Sequence, residues 1–251
     1  MNELDVTWMY PDILYLHGER ANIKALERIG TMLGLKVNIN KVNNYEDKID
    51  FKNTDVIVFN TGEVKTMEKV IEVLKAQKEE LEEYVNSNKI IIFIAQSGII
   101  AAKDTLRKDG TVIQGLGILD MSLLERDMVF GDDFYFKLNE NPKMEMIGVQ
   151  VQLLDTKINS GEPLGTVIYG MGNNDVDNKS YEGMKYRNVI FTNELGPILV
   201  KNPWYTEKLI KEAMKNKGIE IETEIDKNDF CIEMNSLEAI KEFIKKKGLI
   251  V

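Results

Sequence analysis

The chain has 251 residues, and its 41 acidic side chains outnumber its 32 lysines and arginines, which gives a formal net charge of −9. This balance argues against a general nucleic-acid-binding protein, because such a protein needs basic surface to displace counterions from phosphates. One histidine (His17) and one cysteine (Cys231) exclude an intrachain disulfide and a zinc site of four Cys or His ligands. A Ser-His or Cys-His mechanism would have to use His17, and a thiol mechanism would have to use Cys231.

The first two-fifths of the chain alternate between strand and helix patterns. Apolar or alternating runs predict strands over 6–10, 36–42, 55–60 and 89–95. Amphipathic patterns predict helices over 22–33, which ends at Gly34, and over 64–85. The strand over 89–95 is apolar on both faces, as is typical of a central parallel strand covered by helices. The order predicts an α/β fold with an open, mostly parallel sheet and helices on both faces.

The second half has a different pattern. Extended segments are predicted over 128–138, 146–154, 166–169 and 188–192. A helix over 204–217 follows Asn202 and Pro203, a cap and a proline at the first helical position. The tail is predicted as strand, strand and helix, with Cys231 in a buried strand and Asn235 and Glu238 capping the last helix. We therefore predict a main domain over 1–217 and a small C-terminal α+β extension over 218–251 packed on it.

Location and cofactors follow from what the sequence lacks. No apolar run approaches the roughly 20 residues of a membrane helix. The N-terminus has no signal-peptide pattern, so a cytoplasmic protein is predicted. No phosphate-loop motif occurs, and we predict neither a cofactor nor a metal. The turn over 172–175 carries oxygen ligands suited to a cation, but its Gly-Asn-Asn-Asp sequence is also ordinary turn chemistry, which we favour.

Several stretches, in chain order, resemble one family. They are MYPDILYLHGERANI at 9–23, GLGILD at 115–120, YGMGNN at 169–174 with YEG at 181–183 and YRNVI at 186–190, and GPILVKNP at 196–203. They are similar to the YPD…YGDRGNI, GLGLLD, YGYGNN…EG…YKNVI and GPLLPKNP motifs of class I glutamine amidotransferases of the cobyric-acid-synthase type. The resemblance covers about residues 6–215 and implies the flavodoxin-like three-layer fold of that family.

The resemblance also implies a chemistry and a partner. The family hydrolyses glutamine with a cysteine on a strand-to-helix elbow and a histidine base, and backbone N–H groups stabilise the oxyanion. The ammonia passes to a partner that activates a carboxylate with ATP. Within the family, the chain most resembles the branch whose partner is a Mur-ligase-like enzyme of cell-wall precursor amidation, so a heterodimer with such a protein is expected.

Both catalytic positions differ from the family pattern. The family elbow reads VCGGYQ, and this chain reads IAQSGI at 94–99, so that Ala95 stands at the nucleophile position. The family base segment reads YLHGP, and this chain reads NELGP at 193–197, so that Leu195 stands at the base position. A methyl group cannot attack an amide, and leucine cannot accept a proton. The comparison therefore predicts that no catalytic pair is present.

The surrounding residues differ as well. The family's Gly-Gly-Gly oxyanion loop is Asn60-Thr61-Gly62 here, and together with Gln96 these residues form the remnant of the oxyanion site. The family's GFENH segment is GVQVQ at 148–152. A small-molecule ligand in the vestigial pocket remains an expectation.

Other side chains are candidates for a rebuilt site. Ser97 lies two positions past the elbow, Glu194 precedes the lost histidine position, and His17 lies in a functional loop. Glu63 is a further acidic candidate. For Ser97 we favour a hydroxyl that caps the backbone, for His17 a loop or interface role, and for Cys231 a small buried hydrophobe.

Arg20 and Asn22 are the polar pair best retained from the family motif. They are predicted either to organise the loop or a partner contact, or to be a surface arginine and a helix-capping asparagine. The first hypothesis for the whole chain is a catalytically degenerate amidotransferase-like subunit that binds or scaffolds the Mur-ligase-like partner. The alternatives are an active amidotransferase or hydrolase with a rebuilt site at Ser97 and Glu194, and an ammonia-supplying subunit.

Overall fold

The computed structural model describes residues 1–174 and 181–248, which form two β-sheets and the helices packed around them. The strands of these residues are β1 (Glu3–Met9), β2 (Lys36–Val42), β3 (Val56–Phe59), β4 (Ile90–Ile94), β5 (Asp104–Leu106), β6 (Val112–Gln114), β7 (Met121–Leu138), β8 (Glu145–Ile158), β9 (Gly165–Tyr169), β10 (Tyr181–Glu182), β11 (Met184–Tyr186), β12 (Val189–Thr192) and β13 (Glu194–Leu195). Their helices are α1 (Ala21–Met32), α2 (Val64–Lys75), α3 (Lys78–Asn86), α4 (Gly98–Ala101), α5 (Ile198–Lys201), α6 (Pro203–Asn216) and α7 (Cys231–Lys246).

The first sheet has the strand order β11-β12-β4-β3-β1-β2, and all of its neighbouring pairs are parallel except β11–β12. Alternate residues of β4 point to opposite faces, so that Ile90 and Ile92 join one apolar core and Ile91 and Phe93 join the other. Helices α1 and α6 cover the first core, and α2 and α3 cover the second. The predicted α/β fold, with a mostly parallel sheet between two helical layers, is confirmed.

The helix predicted over 64–85 is wrong as a single element, because it breaks at Ala76 and Gln77 between α2 and α3. The buried Gln77 amide accepts a hydrogen bond from Ile49 N–H at 3.2 Å and donates one to Ile49 O at 3.3 Å. These bonds satisfy the backbone of a distant loop, which local periodicity does not reveal.

Across the described residues, no helix is long and apolar enough to cross a membrane.

A second sheet, which the sequence patterns did not predict, is built on a long hairpin of β7 and β8. Its order is β10-β9-β7-β5-β6, and β8 pairs with the other side of β7. The register shifts between Glu125 and Phe130, where the strand bulges. β13 also pairs with β8, Glu194 with Gln150 and Leu195 with Val149. This pairing lays β8 across the carboxyl end of the first sheet, where the site loops lie.

The predicted strands of the tail are wrong. Residues 219–226 form no strand, and α7 begins at Cys231, so that Asn235 and Glu238 lie inside the helix instead of capping it. The side chains of Ile219, Ile221 and Ile225 pack against the first core, which explains their alternating pattern without a ladder partner. Cys231 is exposed, which corrects the prediction of a buried strand cysteine. The division at residue 218 stays a prediction.

Candidate functional site

The turn after β4 keeps the geometry of a nucleophile elbow. Ala95 has φ +49°, a left-handed conformation that costs a non-glycine residue about 1–2 kcal/mol. A short 3₁₀ turn, Ala95–Ser97, leads directly into α4. The Ser97 hydroxyl accepts a hydrogen bond from Ile94 N–H at 2.7 Å and lies 2.9 Å from the Phe59 carbonyl, to which it donates. The hydroxyl therefore holds the elbow together, and the reactive position carries only a methyl group.

The space beside Ala95 is filled. The cavity there measures about 10 Å³ and is lined by Ala95, Gln96, Asn193 and residues 151–154 of β8. This volume is roughly that of one water molecule, which is far smaller than glutamine. Leu195 is fully buried in the same apolar cluster as Ala95. The cavity at this position is therefore far too small for glutamine, and a small-molecule ligand in the vestigial pocket stays a prediction.

Two glutamines of β8 satisfy one another and the neighbouring backbone. The Gln150 carbonyl oxygen accepts from the N–H groups of Met171 at 2.9 Å and Gly172 at 3.2 Å. Its amide donates to Gly172 O at 2.9 Å and to the Gln152 side chain. Gln152 in turn donates to Asp155 at 3.2 Å. In the segment that aligns with the family's GFENH, the side-chain amides of Gln150 and Gln152 are therefore engaged in hydrogen bonds within the protein.

The remnant of the oxyanion loop is closed in the same way. The side chains of Thr61 and Gln96 are hydrogen-bonded to each other. Asn60 accepts from Asn22 at 3.3 Å, and its own amide nitrogen is buried without a partner in the described part of the chain. A Cβ at Gly62 would lie 2.5 Å from Leu14 Cδ2, so the loop after β1 packs directly over this glycine.

Glu194 is a buried carboxyl next to Leu195, the residue that aligns with the family's histidine base. Burial, followed by the nearby Glu182 carboxyl, raises the pKa of Glu194 well above its usual value. One oxygen accepts from Asn202 at 2.9 Å, and the other has no partner within residues 1–174 and 181–248. In the described structure no hydrogen bond joins this carboxyl to the Ser97 hydroxyl.

Two further buried carboxyls, which sequence reasoning missed, organise the same region. Burial raises the pKa of Glu19 to about 7, although it accepts from Gly196 N–H at 2.9 Å and from Asn22 at 2.7 Å. Burial also raises the pKa of Glu182, which accepts from Thr192 at 2.6 Å and from Asn193 N–H at 2.8 Å. The sequence signal that could have identified these two carboxyls is their position in the HGERAN and YEG segments, which resemble the family motifs.

The candidates for a rebuilt site are not brought together. Ser97 bonds to Ile94 and Phe59, whereas Glu194 bonds to Asn202. His17 lies in a partly exposed 3₁₀ turn with φ +59° and makes no side-chain hydrogen bond in the described structure. Glu63 is exposed and pairs with Lys65 at 2.6 Å, and Cys231 lies on the surface of α7.

Arg20 and Asn22 have separate roles. Arg20 forms an exposed ion pair with Asp12 at 2.9 Å. Asn22 is buried inside α1, where it donates to Glu19 and accepts from Leu199 N–H at 2.9 Å. Asn22 is therefore not a helix cap, because it lies inside α1. Its side chain instead links the loop after β1 to α5.

The turn considered as a cation site uses its asparagine internally. Asn173 donates to Gly183 O at 2.9 Å and accepts from Gly183 N–H at 2.8 Å. Asn193 donates to the same Asn173 oxygen at 2.9 Å. Asp175, the carboxylate of that turn, lies outside the described residues.

Two curated proteins are similar to this chain in sequence. The chain is 31% identical over 233 residues to the GatD subunit of lipid II isoglutaminyl synthase (glutamine-hydrolyzing) from Staphylococcus aureus (strain N315), covering 90% of this chain and 91% of that protein. It is 26% identical over 219 residues to the GatD subunit from Streptococcus pneumoniae (strain ATCC BAA-255 / R6), covering 86% of this chain and 82% of that protein.

A solved crystal structure of a glutamine amidotransferase superposes with a TM-score of 0.50 at 13% identity, over 85% of this chain and 99% of that chain. At this identity, the superposition bears on the fold alone. No protein-family model matches the chain. The retained elbow, the family motifs and the identity to a curated relative lead to one conclusion: the chain belongs to the family of GatD subunits of lipid II isoglutaminyl synthase, which is a glutamine-amidotransferase family.

Proposed function

We propose that this chain is a non-catalytic subunit in cell-wall precursor amidation that binds a Mur-ligase-like, ATP-dependent partner and does not hydrolyse glutamine. One observation carries the proposal. The elbow carries only the Ala95 methyl group, the cavity against it measures about 10 Å³, and the Leu195 side chain at the position of the base is fully buried. Covalent glutaminase chemistry needs a nucleophile, a base and room for the amide, and this site supplies none of the three.

The neighbouring side chains do not compensate. In the described structure every hydrogen-bond contact of the Ser97 hydroxyl is with the backbone of Ile94 or Phe59, so it is not directed toward a substrate carbonyl. Among the described residues Glu194 bonds to Asn202 and not to Ser97, so no hydrogen bond pairs this carboxyl with the hydroxyl. These contacts weigh against a rebuilt Ser97–Glu194 site.

The frame around the lost site nevertheless persists. Glu19 and Asn22 tie the loop after β1 to Gly196 and Leu199. Such a buried polar frame specifies one arrangement of the surface loops, as a binding subunit requires. A partner served by such a subunit would use free ammonia or would need no nitrogen donor.

Glutamate release from glutamine tests the proposal. The chain is purified with the Mur-ligase-like protein of the same organism, and the Staphylococcus aureus relative with its own partner serves as positive control. We expect a stable complex and no glutamate above background. Robust glutamate release overturns the proposal, and its loss in Ser97→Ala or Glu194→Gln would assign the activity to a rebuilt site. Failure to form the complex contradicts the binding role.

A further inference from the structure

β6 is a free edge of the second sheet. It pairs with β5, with Thr105 opposite Ile113. Gly115 N–H bonds to Lys103 O at 3.1 Å, and Arg107 N–H bonds to Thr111 O at 2.8 Å. Because hydrogen-bonded pairs alternate along an antiparallel ladder, the amide and carbonyl of Ile113 face β5. Those of Val112 and Gln114 therefore point away from the sheet, and they meet no other backbone group in the described structure.

This edge lacks one common protection against strand addition, a charged side chain on the edge strand. β2, an edge of the first sheet, carries Lys36 and Lys41 together with polar asparagines. Charged side chains, lysine above all, are a common device against strand addition at an edge. β6 reads Val-Ile-Gln and carries no charge. The edge strands β2 and β6 therefore differ in the charge that they carry.

An exposed apolar row leads up to the β6 edge. Val112 lies opposite Leu106, and Leu106 lies opposite Leu124, so the three side chains share the outer face of the sheet. They are 51%, 43% and 47% exposed, respectively. A groove of about 350 Å³ lies beside Leu106 and Leu124. Contiguous exposed apolar side chains of this kind mark interaction sites.

The charges at the groove beside the row balance. Arg126 pairs with Asp155 at 2.7 Å, and Asp104 and Lys157, which also line the groove, carry opposite charges. The flanking surface therefore offers apolar contact and backbone hydrogen bonds but little net charge. It complements an uncharged extended segment better than a strongly acidic or basic one.

The geometry points to strand addition at β6 by an extended, uncharged segment of a partner protein, with an apolar side chain beside Val112 that continues the row. The segment would bond to the outward backbone groups of Val112 and Gln114. The identity of that partner, the ATP-dependent subunit, rests on the function proposed above. The docking edge itself rests on the register and the exposed side chains.

A second copy of this chain fits the edge poorly. In a symmetric antiparallel pairing centred on Ile113, Val112 of one copy would lie opposite Gln114 of the other. The apolar row would then meet the polar row of Gln114, Asp104 and Ser122. The net charge of −9 also disfavours self-association.

Affinity measurements with the purified Mur-ligase-like protein test the edge. Val112→Pro removes an amide that makes no bond within the sheet, and Leu106→Lys places a charge in the row. We expect each variant to weaken binding at least tenfold. The control Ile232→Lys replaces a side chain that is 77% exposed on α7 and should leave the affinity unchanged. The Val112 and Gln114 amides should gain protection from hydrogen exchange in the complex.

The outcomes separate the two proposals. Normal affinity in both β6-face variants, or no added protection at Val112 and Gln114, overturns the docking edge and leaves the proposed function intact. A wild-type chain that does not bind the Mur-ligase-like protein contradicts both. A wild-type dimer in sedimentation that Val112→Pro dissociates also contradicts the inference, because a second copy would then occupy the edge.

Discussion

Glu19 and Gly196 are 177 positions apart in the chain, yet a carboxyl oxygen of Glu19 accepts a hydrogen bond from Gly196 N–H at 2.9 Å. Glu19 closes the loop after β1, and Gly196 follows the position that the family uses for its histidine base. The bond therefore joins the loop after β1 to the segment that aligns with the family's base motif. It shows that the polar frame of the site serves the fold.

Glu19→Gln should change the pH dependence of stability. Burial raises the pKa of Glu19 from 4.5 to about 7, so the folded state binds the proton more tightly than the unfolded state. The resulting stabilisation is complete below pH 4.5 and is lost as the pH rises through 7. We expect the wild-type free energy of unfolding to fall over this window by on the order of 3 kcal/mol from this residue. Urea unfolding at several pH values should show a flatter profile in Glu19→Gln, and an unchanged profile would contradict the assignment. Glu63→Gln at an exposed site is the control.

Asn22→Ala and Arg20→Ala should differ strongly in stability, although the two residues stand together in the retained motif. Asn22→Ala removes buried hydrogen bonds to Glu19, Asn60 and Leu199, which leaves polar groups without partners. We expect a loss of about 2–4 kcal/mol. Arg20→Ala removes an exposed ion pair with Asp12 and should change stability by less than about 1 kcal/mol. Similar denaturation midpoints for the two variants would refute this division of roles.

Ala95→Gly should stabilise the protein. The left-handed backbone at Ala95 strains alanine but not glycine, and the gain exceeds the entropy that glycine adds to the unfolded chain. We expect an increase of about 0.5–1 kcal/mol in the free energy of unfolding. Ala239→Gly, at an exposed position inside α7, should instead lose about 1 kcal/mol. A loss of stability in Ala95→Gly would mean that the methyl contacts outweigh the strain.

Restoring the catalytic pair should not restore glutaminase activity. Ala95→Cys with Leu195→His supplies the thiol and the imidazole, but the cavity of about 10 Å³ stays closed by β8 and its glutamines. We expect no glutamate release. In a Cys231→Ser background, the thiol introduced by Ala95→Cys should react much more slowly with a thiol reagent than the exposed native Cys231 does. Release of glutamate by the double variant would show that the pocket opens.

Several elements could be predicted because their signals are local. The apolar run of β4 marks a central strand, and Pro203 marks the start of α6. The break at Gln77 and the tail could not be predicted in this way. Gln77 bonds to a loop 28 residues away, and the alternating isoleucines at 219, 221 and 225 pack on the core without strand partners. The break at Gln77 and the isoleucine pattern of the tail are therefore caused by contacts with distant parts of the chain.

The sequence by itself determined the α/β class and the family resemblance, because these depend on residue type and spacing. From the same spacing it predicts that Ala95 and Leu195 replace the nucleophile and the base. Only the tertiary structure decided that the site is filled, that Ser97 is bonded to backbone and that Glu19, Glu182 and Glu194 are buried. The physical reason is that burial, cavity volume and hydrogen-bond partners depend on β8, which crosses the end of the first sheet from a distant part of the chain. The path of that strand is set by long-range pairing, which local sequence does not encode.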